Sequence, residues 1–175
     1  MYSTLSLSPK NSLKNQRLFW KSSNNMRIVL TTVLSASVEI EGKVVGQIGR
    51  GFCLLVGFTH EDNKEVVDKM VDKMLSLRVF MDENGLTNLS IYDVKGEILS
   101  VSQFTLYADL AKGRRPSFVN AMKPDEAKEL YGYFNEQVKA KYGAVETGVF
   151  GADMKVSSVN DGPFTIILDS KEIVK

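Results

Sequence analysis

Cysteine and histidine, on which much enzyme chemistry depends, are almost missing from this sequence. The chain of 175 residues has one cysteine, Cys53, and one histidine, His60. A single cysteine excludes an intrachain disulfide and a cysteine-based metal site, and a single histidine argues against zinc. Within "GFCLLVGF", Cys53 is predicted to be a small buried hydrophobe rather than a nucleophile. The sequence therefore predicts no metal site.

A phosphate-binding glycine loop is also missing. "GQIGRG" follows a predicted strand but opens no helix, so it is interpreted as a turn. His60, in "FTHEDN", could be the base of a Ser-His-Asp triad, but a single histidine in a surface loop is more often structural or solvated. Any catalysis is thus expected to depend on hydroxyls, backbone groups, bound water or the substrate itself.

The sequence also lacks long hydrophobic runs and a large net charge. No apolar run reaches the length that a membrane span needs, and the formal net charge is +1. Residues 1–25 carry +4 and no acid, so the rest of the chain carries −3. A mildly acidic body does not indicate nucleic-acid binding through its overall field. Any RNA contact is expected at a local patch.

The first 25 residues differ in composition from the rest. They are rich in Ser, Asn and Lys and poor in periodic apolar residues, which predicts a disordered extension. Their lack of acids fits a targeting segment weakly, and the alternative is that Met26 is the functional start. With 43% hydrophobic and 25% charged residues in the chain, residues 26–175 are predicted to form one globular domain.

From Met26 onward the hydrophobic pattern predicts strands and helices in alternation. A hairpin is predicted for "RIVLTTVLSASVEI", "EGK" and "VVGQIGRG", and a strand buried on both faces for "FCLLVGF". Two helices are predicted in "THEDNKEVVDKMVDKMLSL" and "KPDEAKELYGYFNEQVKAKYG". Further strands are predicted in "RVFMDENG", "GEILSVSQFTL", "VETGVF", "MKVSSVN" and "FTIILD", with "NDGP" between the last two. This order indicates an α+β layered sandwich of a mixed, mostly antiparallel sheet with two main helices.

Polar side chains are unusually frequent at the end of one predicted inner strand. In "VSQFTLYAD", a pleat would place Ser102 on one face, and Gln103 and Thr105 on the other. Core sequence rarely spaces such residues in this way. We interpret them as side chains that contact a ligand.

Two other segments have a structural and a functional interpretation. "NDGPFT" is typical of a turn, but Gly162 would also let a ligand approach bare backbone, and a cis Pro163 would splay the neighbouring carbonyls in one direction. "KGRRPSF" is typical of a solvated loop, but Lys112, Arg114 and Arg115 also suit phosphate contact. Its position just after the polar strand end favours phosphate contact.

These motifs together resemble one enzyme family. "SQFTLYAD", "KGRRPSF" and "GVFGADMKVSSVNDGPFT" occur in the order found in D-aminoacyl-tRNA deacylases. "MRIVL", "ASVEIEGKVVGQIGRG", "LLVGFTHED", "LRVF" and "ETGVFGADM" extend the resemblance from Met26 to about Asp169. The motifs are long, so the match is specific, and residues 1–25 lie outside it.

The resemblance implies an activity and a set of site residues. Members hydrolyse the ester between a D-amino acid and the terminal ribose of tRNA, and also act on mischarged glycyl-tRNA. They are cofactor-free, cytoplasmic homodimers. By resemblance, the pocket is lined by Ser102, Gln103, Phe104 and Thr105. Gly162 and cis Pro163 would enter it from the partner subunit.

The sequence departs from the family pattern at two places. Thr31 and Thr32 stand where Gln-Arg is usual, and the arginine is thought to brace the Gly-Pro carbonyls. Phe164 stands where a smaller valine is usual. These changes put the rigidity of the chiral filter in question.

Two other hypotheses remain open at this stage. The chain could be a catalytically weak tRNA-binding module of the same fold, acting through Lys112, Arg114 and Arg115. It could also be an unrelated serine hydrolase that uses Ser102 and His60. The Gly-Pro segment favours the deacylase, because a pure binding module would not need it.

Overall fold

Strand β1 organises the main sheet. The computed structural model describes residues 25–174, so what is predicted for residues 1–24 and for Lys175 lies outside the described part. The elements, in chain order, are β1 (Arg27–Ile40), β2 (Lys43–Ile48), β3 (Gly51–Gly57), α1 (Lys64–Leu75), β4 (Arg78–Met81), β5 (Thr87–Ser90), β6 (Glu97–Ser102), a 3-10 helix (Phe104–Tyr107), α2 (Pro124–Tyr142), β7 (Glu146–Thr147), β8 (Lys155–Asp169) and α3 (Ser170–Ile173).

The main sheet is mixed and strongly curled. β1 pairs antiparallel with β8 along one edge and with β2 and β3 along the other, while β3–β6 and β6–β7 are parallel. A Cβ on Gly46 of β2 would lie 3.0 Å from the carbonyl oxygen of Thr147 in β7. The first and last strands of the order β2-β1-β3-β6-β7 therefore approach each other, and the sheet nearly closes into a barrel.

Two hydrophobic cores lie on opposite faces of this sheet. The larger core joins Phe52, Leu54 and Val56 of β3 to both main helices, and the smaller one fills the curl around Cys53 and Leu99. β3 is thus buried on both faces, as its unbroken apolar sequence predicts. The predicted α+β class, mixed sheet and two main helices are confirmed.

Both predicted helices are present, although α1 begins five residues into the segment predicted from Thr59. The side chain of Asn63 caps the start of α1, where it accepts from the N–H of Val66. α2 has Pro124 in its first turn and ends at Gly143, whose φ of 106° suits glycine. Among residues 25–174, no helix is long and apolar enough to cross a membrane.

Several predicted strands differ from the structure. β6 ends at Ser102, so the prediction of a pleated strand through Leu106 is wrong, and a 3-10 helix follows instead. Only Glu146–Thr147 of "VETGVF" is strand. "NDGP" does not separate two strands, because β8 continues through it, with shifts in the pairing register opposite Thr31–Ser35 of β1. The hydrophobic pattern gave no sign of β5 or α3.

Candidate active site

A cavity of about 700 Å³ opens where β3 and β6 end and α2 begins. Three of the predicted residues, Ser102, Gln103 and Phe104, line it. Val101, which directly precedes them, also lines it. The other lining residues come from three distant segments, and they are Val56, Gly57, Phe58, Phe118, Val119, Ala121, Met122, Lys123, Pro124, Ala127, Phe150, Gly151, Ala152, Asp153, Met154 and Val156. The cavity is mostly apolar, with a few convergent polar groups, which is the usual form of a small-ligand site.

The turn after β6 shapes this cavity. The N–H of Gln103 donates to the Val56 carbonyl at 2.8 Å, and the chain then leaves the sheet. A Cβ on Gly57 would lie only 2.8 Å from the Gln103 carbonyl oxygen, so glycine is needed for this close approach. The Tyr107 hydroxyl lies 2.5 Å from the Asn25 carbonyl and 3.0 Å from the Gly57 carbonyl, and its one proton can be donated to either. Burial raises the pKa of Tyr107, which keeps this donor protonated.

A guanidinium also anchors the turn from the side of β1. The Nη1 of Arg27 donates to the Leu106 carbonyl at 2.9 Å, and its Nε lies 3.3 Å from Asp169 Oδ2. The turn is therefore tied to β1 and β3, as well as to the end of β8.

The polar side chains of the turn contact each other. Gln103 Nε2 donates to Thr105 Oγ1, and Thr105 is exposed beside the cavity without lining it. Phe104 is 58% exposed, and its ring packs edge-on against Phe118, with 4.9 Å between centroids. An aromatic ring held at a cavity mouth in this way offers a stacking surface.

Backbone donors complete the polar side of the turn. The N–H groups of Phe104 and Thr105 open the 3-10 helix, where no intrahelical carbonyl can accept from them. Within residues 25–174, no other backbone carbonyl accepts from them either. They are therefore available to an oxygen of a ligand.

Ser102 lines this cavity, but within residues 25–174 no histidine or cysteine lines it. His60 Nε2 lies 2.7 Å from the Val119 carbonyl, and no hydrogen bond joins it to Ser102 in the described part of the chain. Cys53 is buried in the small core, and burial raises the pKa of its thiol. No group of three or more metal-binding side chains was found among the described residues. This geometry does not support the serine-hydrolase hypothesis.

The Gly162–Pro163 segment lies outside the cavity of its own chain. Its peptide bond is cis, Gly162 has a φ of 118°, and both residues are exposed on β8. The buried Thr32 hydroxyl donates to the Asp161 carbonyl at 2.8 Å, so this position braces the segment through a short hydrogen bond. Phe164 packs partly buried against the larger core.

The predicted basic patch forms the tip of a loop next to the cavity. Asp109 and Ser117 close the loop with two backbone hydrogen bonds of 2.7 and 3.0 Å. Lys112, Arg114 and Arg115 are exposed at its tip and do not line the cavity. The loop leads directly into Phe118, which does line it.

Sequence reasoning missed most of the apolar lining. Phe118, Met122, Ala127, Phe150 and Met154 come from segments that only the tertiary fold brings together. "KGRRPSF", which ends at Phe118, and "GVFGADM", which contains Phe150 and Met154, carry part of the family resemblance and were the available signals. No local pattern marks Met122 or Ala127.

Comparisons with known proteins agree with this geometry. A family model described as D-Tyr-tRNA(Tyr) deacylase matches residues 29–169. A D-aminoacyl-tRNA deacylase of Bacillus cytotoxicus is 56% identical over 146 residues, which cover 83% of this chain and 100% of the relative. A protein of the same name from Lactobacillus acidophilus is 58% identical over 144 residues, covering 82% and 99%.

Two solved structures are similar in fold. One is described as "c-Myc DNA Unwinding Element Binding Protein", with a TM-score of 0.77, 43% identity, and coverage of 81% of this chain and 97% of that one. The other is described as a probable eukaryotic D-amino acid tRNA deacylase, with a TM-score of 0.74, 20% identity, and coverage of 83% and 99%. At that identity it supports the fold alone. Because the family model spans most of the described residues and relatives more than half identical cover four-fifths of the sequence, the chain belongs to the D-Tyr-tRNA(Tyr) deacylase family.

Proposed function

We propose that this protein hydrolyses the ester bond of D-aminoacyl-tRNA and of mischarged glycyl-tRNA, which releases free tRNA and the amino acid. Family membership supports this activity, and one structural observation carries it. Ser102, Gln103 and Phe104 line a cavity that has no histidine or cysteine in its lining, and beside it the N–H groups of Phe104 and Thr105 donate to no backbone carbonyl within residues 25–174. Such a site can stabilise an ester's transition state, but it has no histidine to activate a hydroxyl nucleophile such as Ser102.

The chemistry then depends on donors and on the substrate. Hydrolysis of an ester passes through a tetrahedral oxyanion, which needs hydrogen-bond donors already in place. The free N–H groups of Phe104 and Thr105 can supply them. The attacking oxygen belongs to water, which the ribose hydroxyl beside the ester can position.

The exposed ring of Phe104 suits the terminal adenine of tRNA. An unpaired base is commonly held by stacking on an aromatic side chain, and every tRNA ends in such a base. Phe118 holds the Phe104 ring edge-on, which limits its movement. In this arrangement the adenine lies at the cavity mouth and the acyl group inside.

A second copy of the chain would supply the chiral filter. β8 pairs on one edge with β1, and its exposed apolar side chains include Val156, Val159 and Ile167. A long strand with one unpaired edge is a ready surface for association. Val156 also lines the cavity, so a two-fold dimer through β8 could bring the partner's Gly162–Pro163 segment to this site.

The filter would work by exclusion. Carbonyl groups of Gly162 and Pro163 can accept hydrogen bonds from the amino group of the substrate. With that group held, an L side chain points into backbone and clashes, whereas glycine has nothing to exclude. Steric rejection of this kind discriminates more strongly than an added apolar contact does.

The basic loop would bind the tRNA backbone. Lys112, Arg114 and Arg115 are exposed together beside the cavity, and guanidinium groups suit phosphate. Such contacts position RNA without information about the acyl group. A cytoplasmic location, where charged tRNA is used, fits this role.

Direct hydrolysis tests the proposal. Purified protein should deacylate D-Tyr-tRNA and glycyl-tRNA and leave L-Tyr-tRNA intact. Binding of tRNA without release of D-tyrosine would favour the binding-module alternative instead. Equal hydrolysis of the D and L forms would mean that the chiral filter described above does not operate.

A further inference from the structure

One charged side chain in the cavity lining has no partner within the described chain. Lys123 and Asp153 are the charged residues of the lining. Asp153 Oδ2 is paired with Lys155 at 2.7 Å, whereas no carboxylate between residues 25 and 174 lies within 4.0 Å of Lys123. Lys123 is exposed, immediately before Pro124 at the start of α2. An ammonium group is thus present at the cavity without an anion of the protein's own.

The neighbouring acids of α2 do not supply that anion. Asp125 lies two residues further on but lines a different groove, with Lys64 and Lys128, between α1 and α2. Glu126 lines neither. The cavity edge at Lys123 therefore favours an anionic group.

The substrate class limits what that group can be. The amino group of an aminoacyl ester is a potential cation, which Lys123 would repel, so the lysine must contact the RNA side of the ester. The anions on that side are phosphates. The nearest phosphate to the ester is the one that joins the last two nucleotides.

We infer that Lys123 binds the terminal internucleotide phosphate of the tRNA and thereby holds the 3′ end of the substrate at the cavity. This inference rests on the proposed deacylase function and adds to it a substrate-binding residue in the cavity lining. The role differs from that of the basic loop, whose three charges lie outside the cavity and would contact phosphates elsewhere on the tRNA.

Short substrates that differ in one phosphate give the test. The D-tyrosyl esters of adenosine, of adenosine 5′-phosphate and of the dinucleotide CpA would be compared for Lys123→Met and the unchanged protein. Loss of a charge-assisted contact at a partly exposed site should raise KM for the two phosphate-bearing esters by roughly 5- to 20-fold. It should leave the adenosine ester and all kcat values nearly unchanged, because the phosphate is bound equally in ground and transition states.

Matched variants separate the contact from general effects. Lys123→Arg keeps the charge and should restore KM to near the unchanged value. Lys128→Met removes a lysine from the same helix but outside the cavity, and should leave all three esters unaffected. Equal loss with Lys128→Met would mean that net charge alone is responsible, and the inference would be wrong.

Further results of these measurements would contradict or support the contact between Lys123 and the phosphate. An equal loss on the phosphate-free ester, or no loss on any ester, would overturn the inference. The affinities of both proteins for unacylated CpA and for adenosine can be measured without any hydrolysis. A fall in CpA affinity alone in Lys123→Met would therefore support the contact even if the unchanged protein hydrolysed none of the esters.

Discussion

At the scale of single residues, the main question is whether Thr105 acts as a nucleophile or only positions the substrate. Its hydroxyl accepts from Gln103 Nε2, and within residues 25–174 no base lies at hydrogen-bond distance to activate it. Thr105→Ala should therefore lower the rate of D-Tyr-tRNA hydrolysis by about 10- to 1000-fold and leave measurable turnover. Single-turnover assays of the folded variant would measure this. Complete loss of hydrolysis would instead indicate a covalent role for Thr105.

Gly57 has a different kind of importance, because it gives room to the backbone of the turn. Alanine there would place Cβ 2.8 Å from the Gln103 carbonyl oxygen, and this backbone group cannot move without displacing Phe104. We expect Gly57→Ala to fold but to lose at least about 10-fold in rate, as small displacements of catalytic groups do.

A second glycine gives the control for this substitution. Gly132, exposed in the middle of α2, has open space where a Cβ would lie, so alanine there should stabilise the protein by about 0.5–1 kcal/mol. Denaturant unfolding and kinetics of both variants would check the pair. Full activity in Gly57→Ala would mean that the turn tolerates movement.

At the scale of elements, periodicity predicted what depends on local burial. α1 repeats apolar residues at helical spacing, and β3 is apolar throughout, so both were predictable. The 3-10 turn was not, because hydrogen bonds from the turn to Val56, Gly57 and Arg27, all distant in sequence, hold it in place. For the same reason, "SQFT" could be identified as part of a site while Met122 and Ala127, which help to complete the cavity, could not.

The junction between β1 and the loop before α1 should respond to pH. Asp62 accepts from the N–H groups of Met26 and Thr59, at 2.8 and 2.7 Å. Burial, with smaller effects of Asp169 and Glu61, raises the pKa of its carboxyl from 3.8 to about 6. The folded state therefore holds this proton more tightly than the unfolded state does. The contribution of Asp62 to stability is complete below about pH 4 and is lost as the pH rises to about 6.

Comparison with an uncharged variant isolates this contribution. The free energy of unfolding of the unchanged protein, minus that of Asp62→Asn, should fall as the pH rises between about 4 and 6. Urea titrations at several pH values would measure both. If the difference instead rises with pH, the two N–H donors lower the pKa of Asp62 by more than burial raises it. The carboxyl is then ionised in the folded protein across this pH range.

The basic loop can be tested as an element of its own. Replacing Lys112, Arg114 and Arg115 together by alanine should weaken tRNA binding and flatten its dependence on salt, because fewer counterions are released. The ratio of D to L hydrolysis should stay the same. Fluorescence titrations at several salt concentrations, with parallel deacylation assays, would check both statements. A changed D to L ratio would place the loop in the acyl pocket instead.

At the scale of the whole molecule, the cavity and the Gly-Pro segment, which together form the proposed site, lie on different surfaces of one chain. The cavity lies at the ends of β3 and β6, whereas Gly162 and Pro163 are exposed on β8 and do not line it. A two-fold dimer would resolve this separation, since each subunit would give its Gly-Pro segment to the other. The exposed apolar side chains of β8 would be covered in the same contact.

Mixing two inactive variants tests this exchange most directly. Gln103→Ala/Phe104→Ala damages the cavity, and Gly162→Val puts a branched side chain on the Gly-Pro segment where φ is 118°. If the segment crosses between subunits, a mixed dimer has one site built from two intact halves, and a 1:1 mixture refolded together should regain about a quarter of the unchanged activity. Deacylation of D-Tyr-tRNA and sedimentation of the mixture would be measured side by side. If both halves act within one chain, the mixture regains no activity.

A substitution in the proposed dimer contact gives a second test. Val159→Lys, on the exposed face of β8, should give a monomer without activity if the Gly-Pro segment crosses between subunits. If both halves of the site act within one chain, the same monomer should be active. Leu86→Lys, an equally exposed apolar position in the β4–β5 connection, should change neither property.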